Sequence, residues 1–121
     1  SELITVKGSD GTDTQVLHLV SNGAAYDSAW NHSQINFASL QLNEGDQVKI
    51  TYKINKSSTN AGLCYNGDNW IKQAVAGEWT TYTYTAPAGG KTLTDISIWN
   101  YENNANVSID WYIEKVEIIR A

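Results

Sequence analysis

The chain has 121 residues with a formal charge of −5, 41% hydrophobic and 17% charged residues, and one cysteine. That length suits one domain with one core. The acidic balance excludes a partner held through phosphate neutralisation and disfavours an anionic membrane surface. Cys64 alone excludes an internal disulfide or a cysteine metal cluster, and a buried thiol is its plain reading. No apolar stretch approaches a membrane span. A chain opening on Ser1 looks like a mature or excised fragment.

Taken in chain order, strand signals alternate with turn signals and no segment shows a helical period. Leu3–Val6 is a first short strand, closed by Gly8-Ser9-Asp10-Gly11. Gln15–Val20 follows, then a polar stretch, Ser21–Ser33. Ile35–Leu42 comes next, with Asn43-Glu44-Gly45-Asp46 as a turn. Val48, Ile50, Tyr52 and Ile54 then alternate with Lys49, Thr51 and Lys53, the period of a half-buried strand. Asn55–Asn60 reads as a loop. Ala61–Tyr65 and Trp70–Val75 form a pair joined through Asn66-Gly67-Asp68.

Trp79–Thr85 sets Tyr82 and Tyr84 against Thr81, Thr83 and Thr85, and Pro87 with Gly89-Gly90 ends it. In Leu93–Tyr101, Ile96 and Ile98 share one face while Ser97, Trp99 and Tyr101 share the other. Asn103-Asn104 turns the chain into a last strand, Val107–Ile119. About nine strands in a single domain spanning residues 1–121 predict an all-β fold. The expected form is a β-sandwich jelly roll of two antiparallel sheets.

The aromatic content carries the functional signal: five Trp and seven Tyr against one Phe and no Met. These rings combine an apolar body with a polar edge. If Ile96 and Ile98 face the core, Trp99 faces out. Likewise Ile71 inside puts Trp70 and Lys72 outside. Trp30 lies in Tyr26-Asp27-Ser28-Ala29-Trp30-Asn31, with no aliphatic neighbour. Trp79 and Trp111 are expected to be structural.

Three exposed indoles suit sugar binding. A pyranose lays its C–H face on an aromatic ring, and its hydroxyls reach toward amide, hydroxyl and charged side chains. Each stack is worth roughly 1–2 kcal/mol at ~25 cal/mol per Å². After ordering costs, three give an affinity on the order of micromolar to sub-millimolar. A protein-interaction or adhesion domain is the rival, since interfaces also favour Trp and Tyr. The Asn-rich surroundings of these rings favour sugar.

Gly77-Glu78-Trp79-Thr80-Thr81-Tyr82 through Pro87 resembles the G-E-W-x-x-[FYL]-x-x-x-x-P segment of carbohydrate-binding module families four, nine and twenty-two. Ile109-Asp110-Trp111-Tyr112-Ile113-Glu114-Lys115-Val116-Glu117-Ile118 is similar to their closing strand. Ser28-Ala29-Trp30-Asn31 resembles the short stretch holding a stacking tryptophan in family twenty-two. A separate xylan-binding family from gut bacteria fits equally.

The resemblance implies an open cleft for a β-1,4-linked plant polysaccharide, xylan preferred over β-glucan or mannan. It implies Trp30, Trp70 and Trp99 as stacking residues, with Tyr65, Lys72, Tyr101, Glu102 and Tyr26 around them. It further implies a monomeric, secreted or cell-surface bacterial module attached to a glycoside hydrolase. A structural Ca²⁺ is typical of such relatives. Here the first strand lacks their Phe-Glu pair, and Glu114-Lys115 replaces their acidic doublet.

Catalysis is not expected. Glycoside hydrolysis needs two carboxylates across a cleft, whereas Glu44/Asp46 and Asp10/Asp13 fall in turn sequences. His18 and His32 have no nucleophile or metal-ligand spacing beside them.

Overall fold

The computed structural model describes residues 2–22, 33–66, 69–100 and 108–121; within these, the side chains at 21–22, 33–35, 59–61, 69–74 and 98–100 are outside the description. The described residues form strands β1 (Glu2–Lys7), β2 (Asp13–Asn22), β3 (Ser33–Leu42), β4 (Gln47–Ile54), β5 (Ser58–Tyr65), β6 (Asn69–Ala74), β7 (Thr80–Thr85), β8 (Lys91–Asn100) and β9 (Ser108–Ile119). Segment 55–60, expected as a loop, is a loop only through Ser57, and β5 begins earlier than the sequence indicated.

Two antiparallel sheets result, one in the order β1-β2-β9-β4-β7 and the other β3-β8-β5-β6. The pairings nest: β2 with β9, β3 with β8, β4 with β7 and β5 with β6. A long hairpin rolled upon itself makes this pattern, the winding of a jelly roll.

Alternation decides what lies between the sheets. Val48, Ile50, Tyr52 and Ile54 of β4 are all buried, together with Ile109, Trp111 and Ile113 of β9. Leu63, Leu93 and Ile96 meet them from the other sheet, and Leu19 and Leu42 close the ends. Trp111 is fully buried, with its ring 6.0 Å from that of Tyr52. Its structural role is as expected.

A bulge adjusts the last strand. Tyr52 pairs with Ile113 and Thr51 with Lys115, so Glu114 is the extra residue. An extra residue moves every later side chain to the opposite face. Val116, opposite Ile50, therefore packs against the core although Ile113 does too. Glu114 turns to the β1–β2 turn, where its carboxylate accepts from Ser9 N at 2.8 Å and Ser9 Oγ at 2.6 Å.

Candidate functional site

The sheet β3-β8-β5-β6 has one face in the core, through Leu63 of β5 and Ile96 of β8. The alternate positions form its other face. Cys64 lies opposite Ser97, and Gly62 opposite Trp99. On the far side of β5, Cys64 also lies opposite Trp70 and Gly62 opposite Gln73. On β8's other flank, Gln34 pairs with Ser97 and Asn36 with Asp95. Directly paired residues share a face. The backbone thus brings Trp70 and Trp99 into the rows of Gly62 and Cys64, on the two strands flanking β5. Two strand spacings across and two residues along separate their backbones by ~12 Å.

Between them the floor is made of small groups. Gly62, Cys64 and Ser97 are all buried. Ser97 Oγ donates to Asp95 Oδ2, and Thr94 Oγ1 donates to Asp95 Oδ1 at 2.9 Å. Asp95 is itself buried, so these bonds offset its lost hydration.

Asn66 ties the β5–β6 hairpin to this platform. Its φ of 46° lies in the left-handed region that Asn tolerates better than most residues. That conformation turns the amide toward β8, where Nδ2 donates to Thr92 O at 2.9 Å and Oδ1 accepts from Thr94 N at 2.8 Å. In the sequence Asn66 reads as a turn residue, and Asp95 and Ser97 carry no functional signal of their own. The alternation of Asp95 and Ser97 with Ile96 and Ile98 was the available signal.

Of the residues expected to touch ligand, Trp70 and Trp99 are joined by register as described. Lys72 was expected to accompany Trp70; register instead sets it opposite Leu63, a core residue, because Ile71 is the extra residue of a bulge. Tyr65 stands opposite Ile96 and packs against the core. Its ring lies 5.4 Å from Tyr84, with Lys91 Nζ 5.3 Å from its centroid. That places Tyr65 at the seam between the sheets and not among the Ser97 row. Burial first, then the neighbouring Tyr65, raises the phenol pKa of both Tyr82 and Tyr84. Trp30, Tyr26, Tyr101, Glu102 and His32 lie outside the described residues.

Among the described residues no three His, Cys, Asp or Glu side chains gather as a metal site, and both oxygens of Glu114 already serve Ser9. His18 stacks on Tyr112 and contacts Asp110. Cys64 is a buried free thiol.

No protein-family model matches the chain, and no curated protein matches it. Among solved structures, a crystal structure of a protein with a xylogluco-oligosaccharide matches over 99% of this chain with a TM-score of 0.55 and 11% identity. The chain spans 35% of that protein's length. At that identity the likeness establishes a shared fold: this chain is built on a β-sandwich that also occurs in a protein crystallised with a glycan.

Proposed function

We propose that this chain is a non-catalytic glycan-binding domain that holds a β-1,4-linked polysaccharide, xylan first, on the outer face of β3-β8-β5-β6. The observation that carries the reading is the register of Trp70 and Trp99 about the small-residue floor of β5. Two tryptophans carried on the strands either side of β5 suit an extended sugar chain. Ring faces take the C–H surfaces and leave the hydroxyls toward solvent. The acidic charge and shortage of basic residues agree with a neutral polymer. Binding without hydrolysis agrees with Asp95, whose carboxylate is buried and committed to Thr94 and Ser97.

A β-glucan backbone is the second reading, favoured by the solved structure of like fold that carries a xylogluco-oligosaccharide. The proposal extends to a secreted or cell-surface setting, with attachment to a catalytic domain.

Affinity electrophoresis through gels holding xylan, xyloglucan or mixed-linkage β-glucan tests the function, with calorimetry to rank the ligands with and without chelator. Retardation by one of these polymers is expected. Trp99→Ala and Trp70→Ala should each remove most of it with little change in thermal midpoint. Free migration through every gel, alongside capture of a protein partner, would favour the adhesion reading instead.

A further inference from the structure

The sheet β1-β2-β9-β4-β7 carries a groove on its outer face. Pairing across β4, β9, β2 and β1 lines up Lys53, Tyr112, His18 and Glu2 in one transverse row on the outer face of β1-β2-β9-β4-β7. Trp79, just before β7, stands beside the Lys53 end, because Tyr52 pairs with Thr80. Its indole Nε1 donates to Lys7 O at 3.1 Å, reaching the end of β1 from beside the opposite edge strand. Under this contact lies a groove of about 430 Å³, lined by Ile4, Val6, Lys7, Lys53, Asn55, Trp79 and Tyr112. That volume falls within the roughly 300–1,000 Å³ typical of small-ligand sites.

The groove is built from braced parts. The Tyr112 ring is backed by His18, stacked at 5.0 Å with planes 8° apart. His18 Nε2 is held 2.9 Å from Asp110 Oδ1. Asp110 Oδ2 accepts from Asn55 Nδ2 at 2.8 Å, and Asn55 Oδ1 accepts from Asp110 N at 2.8 Å. Asn55 keeps a further amide hydrogen and lone pair for a ligand. Two aromatic side chains held in place are cheaper to bind against than mobile ones.

Charge narrows the ligand. The chain is acidic overall, yet the titratable groups lining the groove are two lysines and a tyrosine, with no carboxylate. Lys7 pairs with Asp13 at 2.9 Å. Lys53 has no carboxylate partner within ion-pair distance among the described residues, and the nearby Asp110 is already engaged by His18 and Asn55. A ring-shaped ligand with an apolar face, hydroxyls and one negative charge fits this lining.

We propose that this groove is a second, independent glycan site that accepts a uronic acid residue, its ring against Trp79 and Tyr112 and its carboxylate on Lys53. It lies on the other sheet from the strands that carry Trp70 and Trp99, so it stands whether or not the first site binds.

The test is residue-resolved NMR titration with two probes, a glucuronic-acid-substituted xylo-oligosaccharide and an unsubstituted one of equal backbone length. Amide shifts at 53, 79 and 112 are expected with the charged probe. They should weaken with salt and persist in Trp99→Ala. Lys53→Gln, an exposed-end substitution that leaves the core untouched, should weaken them about tenfold, the worth of one charge-assisted hydrogen bond. Tyr112→Ala should abolish them if the variant stays folded, as judged by its dispersed spectrum. No shifts at these positions, or shifts equal for both probes and unchanged in Lys53→Gln, would overturn the proposal. Loss of first-site binding alone would leave the 53, 79 and 112 response intact.

Discussion

Replacing Asn66 with Ala tests how the β5–β6 hairpin is attached to the sheet that carries the candidate site. The substitution removes the donor to Thr92 O and the acceptor of Thr94 N. At ~1 kcal/mol net for each bond these contribute about 2 kcal/mol. The contact from Thr94 Oγ1 adds little, because that hydroxyl keeps Asp95 as a partner. Alanine at a φ of 46° adds up to ~1 kcal/mol more, since its Cβ lacks the compensating bonds that Asn makes there. A loss of about 2–3 kcal/mol follows, or roughly 6–15 °C in Tm for a domain of this size. Urea and thermal melts followed by circular dichroism read it. Asn66→Gly separates the two contributions, because it relieves the backbone strain and still lacks the amide. Glycan retardation should also fall in Asn66→Ala well below its melting temperature, as the β6 register loosens locally before global unfolding. A change under ~0.5 kcal/mol would refute the view that this side chain anchors the hairpin.

Three further outcomes follow from the packing. Asp46 accepts from Ala121 N, Asn43 N and Arg120 Nη1, and these bonds, the Ala121 amide foremost, hold its carboxyl at about 2 against an ordinary 3.8. A depressed folded-state pKa stabilises above the unfolded value, so this contribution is complete above pH 3.8 and fades as pH falls toward 2. Asp10, lowered through Thr12, acts in the same direction. Asp46→Asn should therefore be less stable at neutral pH and show a flatter acid limb in pH-dependent urea melts. Trp111→Ala should cost about 3–5 kcal/mol, a large share of a small domain's stability, whereas Trp111→Phe should cost clearly less in thermal melts. At Gly8 an added Cβ would fall onto Glu114 Oε1 and the Thr14 side chain. Gly8→Ala should accordingly lower the urea midpoint by about 1–3 kcal/mol equivalent with an unchanged m-value.

Much of the architecture was legible along the chain because a strand's inside and outside are written locally. Val48, Ile50, Tyr52 and Ile54 needed only their own alternation to be placed in the core. Ile96 against Ser97 was equally plain, and with it the row to which Trp99 belongs. Trp111 between Ile109 and Ile113 declared itself structural in the same way.

Register across strands was not legible, because it is a property of two segments and not of one. The bulges at Ile71 and Glu114 show why. A single extra residue parts Lys72 from the row of Trp70, and another reverses the face presented by the end of β9. Tyr65, expected among the ligand contacts, joins the core-facing row because its partner is Ile96, a fact that no window around Tyr65 contains.

The sequence by itself determined that this protein would be an all-β sandwich, which side chains would fill it and that its aromatics carry polar edges. Tertiary structure alone decided which aromatics share a surface, and it made the groove between Trp79 and β1 from segments distant in the chain. Side-chain period is fixed by local backbone geometry, whereas the meeting of rows depends on how paired strands slide, bulge and curl around a common core.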